Sequence, residues 1–197
     1  MENKTLDFYN NNSKSYIEST LSVDMSQLYK DFLKHIPKGG HILDLGCGSG
    51  RDSLEFIKQG YNITAVDGSK ELSIAASKII GQEVICSKFE ELKLTEKFHG
   101  IWACASLLHI NKRDLIQVIK NISSNLEHNG VFYMSFKYGE DEYIDEKGRY
   151  FNCYTEETFK EMIAQVSNLE IQNIYKSGDT LGGRNNLQWL NVLFKIN

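Results

Sequence analysis

The sequence predicts an α/β fold: a doubly wound, mainly parallel sheet of seven strands that ends in an antiparallel hairpin. Three observations lead there. Short apolar runs alternate with segments of helical period along most of the 197 residues, which calls for a central sheet with helices on both faces. The stretch HILDLGCGSGRD (41–52) sets a carboxylate and three alternating glycines where a buried strand gives way to a helix. The last two apolar runs are separated by about nine residues, too few for a crossover helix, so they pair antiparallel.

Taken in order, residues 15–35 carry Ile17, Leu21, Met25, Leu28 and Phe32 near a helical period and read as one or two helices. Pro37 stops them. HILDL (41–45) is a short buried strand, and DSLEFIKQG (52–60) is a helix closed by Gly60. NITAV (62–66) is the second strand. ELSIAASKII (71–80) is a helix between the cap Ser69 and the terminator Gly81. EVICS (83–87) and GIWACAS (100–106) are strands, and RDLIQVIKNISSNL (113–126) is a helix. GVFYMSFKY (130–138) is the fifth strand. TEETFKEMIAQV (155–166) is a helix with Thr155 or Thr158 as its cap. LEIQNIYKS (169–177) and LQWLNVLFKI (187–196) close the sheet. No repeat or long linker divides the chain. It reads as one domain, 1–197, with a helical segment 1–37 preceding a core 38–197.

Composition narrows the function. A chain of this length buries about 70% of its unfolded surface and needs no staples. A net charge of −4 provides no global field for polyphosphate, which counts against nucleic acid as a partner. Cys47, Cys86, Cys104 and Cys153 form no CxxC pair, so reduced thiols in a cytoplasmic protein are expected rather than a disulfide framework. His and carboxylates do not cluster at ligand spacing, and no metal is expected. The first residues lack the apolar run of a leader, and no run approaches the roughly 18 residues of a membrane span.

In an open α/β sheet, ligands sit beyond the carboxyl ends of the strands. The loop 46–50 lies there. Its spacing is GxGxG rather than the dinucleotide GxGxxG, Arg51 stands where the third glycine would be, and no P-loop lysine follows. Asp44, two residues before Gly46, would repel a pyrophosphate and suits a ligand with a positive end. Asp67 ends the second strand, 23 residues later, where a carboxylate can accept from both hydroxyls of a ribose. The site therefore asks for a ribose, a cation and no phosphate. S-adenosylmethionine has those parts.

With these residues in view, the chain resembles a small class I S-adenosylmethionine-dependent methyltransferase, whose fold is Rossmann-like. LDLGCGSGRDS (43–53) resembles the family's first motif and VDGS (66–69) its second. KFEEL (88–92), WACASLLHI (102–110) and LEHNGVFYMSFKYG (126–139) resemble the later ones. Within the family, the loop and second strand look most like the tellurite-resistance-type and related small-molecule enzymes. The single glycine of HNG, where two are common, is a departure at a turn.

The resemblance implies S-adenosylmethionine as cofactor, S-adenosylhomocysteine as product, and a set of residues. Cofactor contacts would come from Tyr16, Asp44, Gly46, Cys47, Gly48, Arg51, Asp67, Gly68, Ser69, Lys88, Phe89, Ala103 and Cys104. Arg51 could hold the methionine carboxylate or pair with Glu55 one turn on. His109 is either a structural histidine or, with Tyr9, the catalytic pair. The segment holding Tyr9 and Tyr16 would close over the cofactor as a lid. Tyr138, Tyr150, Arg184 and Trp189, in clusters with Lys137 and Arg149, would face a planar or anionic small substrate. The alternatives are a methyltransferase for RNA or protein, for which no NPPY-type tetrapeptide is present, and a protein that binds the cofactor without catalysis. A nicotinamide dehydrogenase fits neither the glycine spacing nor Asp44.

Overall fold

The computed structural model describes residues 4–180 and 186–196. Three short helices come first: α1 (Lys4–Asn11), α2 (Ser13–Thr20) and α3 (Ser26–Leu33). The sheet then begins with β1 (His41–Leu45), and α4 (Arg51–Lys58), β2 (Asn62–Asp67), α5 (Lys70–Ile80), β3 (Val84–Cys86) and β4 (Phe98–Ala103) follow. A single 3-10 turn over Leu107–His109 leads to α6 (Lys112–Ser123) and the long β5 (Leu126–Tyr138). The chain ends with β6 (Glu142–Ile144), β7 (Tyr150–Tyr154), α7 (Glu156–Ile163), β8 (Leu169–Gly178) and β9 (Gln188–Ile196).

The parallel strands run β3-β2-β1-β4-β5, and β9 joins β5 antiparallel with β8 outside it. These are the seven expected strands in doubly wound order, with the closing hairpin in place. Two more were not legible. β6 and β7 form a small antiparallel hairpin whose β7 adds parallel to β5 at Lys137 and Tyr138. Lys137 also pairs with Trp189 of β9, so β7 lies on the other edge of β5, above the point where β4 has ended. β6 is exposed at every residue, and a strand with no buried face leaves no apolar alternation to read. The HNG turn is also absorbed into β5: Asn129 takes a φ of 64°, and β5 advances from Leu126 to Val131 while β4 advances only from Phe98 to Gly100, an enlarged bulge in the longer strand.

Local chemistry explains the helix ends. Ser69 caps α5 by accepting from the Leu72 N–H, and Gly81 closes it at φ 74°. Thr155 and Thr158 are both used at α7, as the two halves of a capping box. Two apolar layers cover the sheet. On one face Leu43 and Leu45 of β1 pack with α6 and α7. On the other, Trp102 stacks on Tyr133 at 4.1 Å between ring centroids and is surrounded by Tyr29, Phe32 and Phe56. No helix among the described residues is long and apolar enough to cross a membrane.

Candidate active site

The site is built at the carboxyl edge of the sheet, where β1, β2 and β4 end side by side. The chain leaves β1 through Gly46, Gly48 and Gly50, all at positive φ, a backbone that side chains other than glycine rarely adopt. The space above them is taken. A Cβ on Gly46 would collide with Ser106 and stand 3.1 Å from Phe89, and one on Gly48 would stand 3.1 Å from the Tyr16 ring. The amides of Gly46 and Cys47 both donate to the Val66 carbonyl, tying the loop to β2.

Asp67 completes the tie. One carboxylate oxygen accepts from the Gly48 N–H at 2.9 Å and the other from the Ser69 N–H at 2.8 Å. Burial pushes its pKa above the usual carboxylate range, and the two amides pull the other way. Helix α1 is fastened here as well: Asn10 accepts from the Ser69 hydroxyl at 2.7 Å.

Behind the loop lies a buried ionic knot. Arg51 grips Asp52 through Nε at 2.6 Å and Nη2 at 3.0 Å. The same carboxylate accepts from the Tyr29 hydroxyl at 2.5 Å and the Trp102 indole at 2.8 Å. Four donors, two of them on the Arg51 cation, keep Asp52 ionised, below its usual range despite burial. The partner of Arg51 is thus its chain neighbour rather than Glu55. Asp44 has the opposite fate. It accepts from the Ser53 hydroxyl at 2.6 Å, and burial with the charge of Asp52 nearby raises its pKa well above the ordinary range.

His109 sits at the tip of the 3-10 turn. Its Nδ1 lies 2.6 Å from the Tyr150 carbonyl, which can only accept, so Nδ1 carries the proton. Burial, with Arg149 and Lys137 near, lowers its pKa to about 4. The ring is neutral, Nε2 holds a lone pair, and the Tyr9 hydroxyl donates to it at 2.9 Å. Burial raises the pKa of Tyr9, and the Arg149 guanidinium beside it partly offsets that.

Two cavities meet at this pair. The first, about 80 Å³, is lined by Leu6, Gly46, Gly48, Asp67, Gly68, Lys88, Phe89 and Ser106 among others. The second, about 400 Å³, extends over Arg51, Cys104, Tyr133, Lys137, Arg149, Phe151 and Trp189. Tyr9, Tyr16, Ala105 and His109 line both. Ala105 holds its place at a φ of 52°, with its N–H on the Ser135 hydroxyl.

Most of the expected residues gather here, and some do not. Asp44 and Cys47 lie behind the loop, and Ala103 and Ser69 are buried beneath it; none of the four lines either cavity. Ser69 bonds Asn10 of α1, and Asp44 bonds Ser53. Cys104 does line the second cavity, with its thiol pushed up to about 12 by burial, which leaves it protonated and inert. Tyr138 lines neither cavity and packs against the α6–α7 side. Strand alternation explains this: Tyr133, Ser135 and Lys137 face the cavity, so Tyr138 faces away. Tyr150 contributes its carbonyl to His109 while its hydroxyl turns outward to Glu142. Trp189 is in place, and Arg184 lies outside the described residues. Phe8, Lys147, Ala105 and Ser106 were missed. The last two follow Cys104 at the end of β4, on the same sheet edge as the glycine loop, and that position was their signal.

Residues 42–130 match the family described as the methyltransferase domain. The protein YqeM of Bacillus subtilis (strain 168) is 30% identical over 116 residues, 53% of this chain and 47% of that protein. The ubiquinone biosynthesis O-methyltransferase of Rickettsia canadensis is 30% identical over 99 residues, 48% of this chain and 41% of that one. The chain spans about half the length of these curated relatives. Among solved structures, the 1,6-didemethyltoxoflavin-N1-methyltransferase of Burkholderia thailandensis, with 1,6-didemethyltoxoflavin and S-adenosylhomocysteine bound, superposes at a TM-score of 0.77. That match covers 98% of this chain and 85% of the other at 18% identity, a likeness of fold. With the motif order, the sheet order and the matched segment in agreement, residues 42–130 carry a methyltransferase domain, and the chain as a whole resembles the class I S-adenosylmethionine-dependent methyltransferases in fold.

Proposed function

We propose that this protein transfers a methyl group from S-adenosylmethionine to a small-molecule acceptor, by in-line displacement where the two cavities meet. The observation that carries the reading is their common wall. A cofactor seated over the glycine loop and an acceptor in the larger cavity would be divided only by Tyr9, Tyr16, Ala105 and His109.

The residues present fit that cofactor. Asp67 offers a ribose the remaining lone pairs of two anchored oxygens. Gly68 allows close approach, and Phe89, Leu6, Leu72 and Ile110 supply apolar walls for a base. Arg51, at the start of α4 in the second cavity, is placed for a carboxylate at the amino-acid end. When bound, S-adenosylmethionine supplies an activated methyl, its bond electrons staying on sulfur as the acceptor's lone pair forms the new bond. The protein's share is then orientation and proton management. Tyr9 accepts from an acceptor hydroxyl or amine and passes its own proton to His109 Nε2, which the Tyr150 carbonyl holds in the receptive tautomer. A thiolate acceptor would not use this relay. The helices α1 and α2 and the β6–β7 hairpin roof the larger cavity, and its 400 Å³ lies within the 300–1,000 Å³ range of small-molecule sites. That roof disfavours RNA or folded protein as acceptor.

The test is calorimetric titration with S-adenosylhomocysteine. Micromolar binding is expected, weakened at least about 30-fold in Asp67→Ala, since each hydrogen bond to a charged group contributes about 1.5–3 kcal/mol. Equal affinity in the variant would remove Asp67 from the site, and no binding by the wild type would sink the proposal.

A further inference from the structure

The two cavities differ in charge. Among the described residues the first is lined by Asp67 and Glu90 against Lys88. The second is lined by Arg51, Lys137, Lys147 and Arg149 against the single carboxylate of Asp179. Arg51 is matched by Asp52 and stands at the loop side, and Arg149 is matched by Asp145 from outside the cavity. Lys137, Lys147 and Arg149 arrive together on one structural unit, the end of β5 and the hairpin β6–β7.

They are also held over aromatic rings. Lys137 Nζ lies 3.4 Å from the Phe151 centroid, and the Arg149 guanidinium stands 4.6 Å from Phe8 and 5.1 Å from Phe151. Lys147 Nζ lies 5.6 Å from Phe8. Ring faces hold a cation in place and exclude water from one side of it. Asp145, which grips Arg149 through Nε and Nη2, does not line the cavity. The guanidinium is therefore fixed from behind by Asp145, and it also bonds the Tyr9 hydroxyl. Half-buried Arg149 and Lys137, the latter also donating to the Tyr143 hydroxyl at 2.8 Å, with Lys147 at the exposed rim, raise the free energy of a cationic occupant and lower that of an anion. The remaining walls, Tyr133, Trp189 and the Tyr9–Tyr16 pair, present flat apolar faces.

Resting on the reading of this cavity as the acceptor site, we infer that the acceptor is a planar acid: an aromatic or heteroaromatic ring bearing a carboxylate. The carboxylate is held by Arg149, Lys137 and Lys147, and the ring directs its hydroxyl or amine toward Tyr9 and His109. A positively charged amine is excluded by the same cations.

The test uses the whole protein saturated with S-adenosylhomocysteine. It is titrated with hydroxybenzoic, hydroxynaphthoic and indole carboxylic acids, each paired with its primary amide. At least one acid is expected to bind ten-fold or more tightly than its amide. In Lys137→Met and in Arg149→Gln that preference falls to about two-fold or less, while S-adenosylhomocysteine affinity in Lys137→Met stays within two-fold of wild type. Arg149→Lys restores part of the preference. Amides binding as well as acids would overturn the inference, as would a preference that survives both variants or acids that do not saturate below millimolar. A protein that fails to bind S-adenosylhomocysteine at all fails the earlier proposal instead, so the two failures are distinct.

Discussion

Asp44 and Asp52 are eight residues apart, both buried, and held in opposite charge states by what surrounds them. Asp52 balances Arg51 and accepts from Tyr29 and Trp102, so Asp52→Ala leaves a buried guanidinium without its counter-charge and should cost about 3–5 kcal/mol. Asp44, which accepts from the Ser53 hydroxyl, is shifted toward its neutral form by burial and the charge of Asp52, and Asp44→Asn should change stability by about 1 kcal/mol or less. Urea unfolding of the two variants separates them; similar losses would mean that Asp44 is ionised. His109 gives a second expectation. Its pKa is lowered to about 4, so its lone pair is available throughout the neutral range and is lost only as pH falls toward 4. The acid limb of kcat/KM should therefore lie well below the 6.5 of an unperturbed histidine and vanish in His109→Asn; a limb at 6.5 would show an exposed, unshifted ring. Residue by residue, the sequence disclosed what local motif fixes. Asp67, Gly48 and Phe89 follow strand ends in the chain itself. Arg149 and the Tyr150 carbonyl reach His109 across 40 or more residues of chain, and only the hairpin, which has no sequence pattern, brings them there.

Glycines show how an element's backbone, rather than a side chain, can be the functional part. Gly46 and Gly60 both have φ above 80°, so alanine strains either by about 1 kcal/mol or more. They differ in what lies above. Nothing stands within 4 Å of a Cβ on Gly60, whereas one on Gly46 meets Ser106 and Phe89. Gly46→Ala should thus lose clearly more stability than Gly60→Ala, and it alone should abolish S-adenosylhomocysteine binding; thermal unfolding with and without ligand reads both. Equal losses would mean that Ser106 gives way. Helices with caps and strands with a buried face were readable. Three elements were not: the β6–β7 hairpin, the bulge at Asn129, and the division of the first 33 residues into three helices, because each depends on tertiary neighbours rather than on period or caps.

At the scale of the molecule, fold class and strand order were legible because alternation of strand and helix leaves few connections open. The existence of two cavities was not, since it depends on α1, α2 and a hairpin meeting over the sheet. That meeting couples the ligands. Tyr9 and Tyr16 belong to both cavities, so any entropy lost in immobilising α1 and α2 would fall on whichever ligand arrives first. The second then binds more tightly, and the factor is the same in either direction. Titrating S-adenosylhomocysteine with and without a saturating acceptor acid should show that tightening, and affinities that do not change would mean the lid is already rigid. Cooperativity of this kind has a kinetic signature. An acceptor in excess holds the spent cofactor in a dead-end ternary complex, so turnover slows at high acceptor concentration: substrate inhibition becomes a property of the shared wall itself.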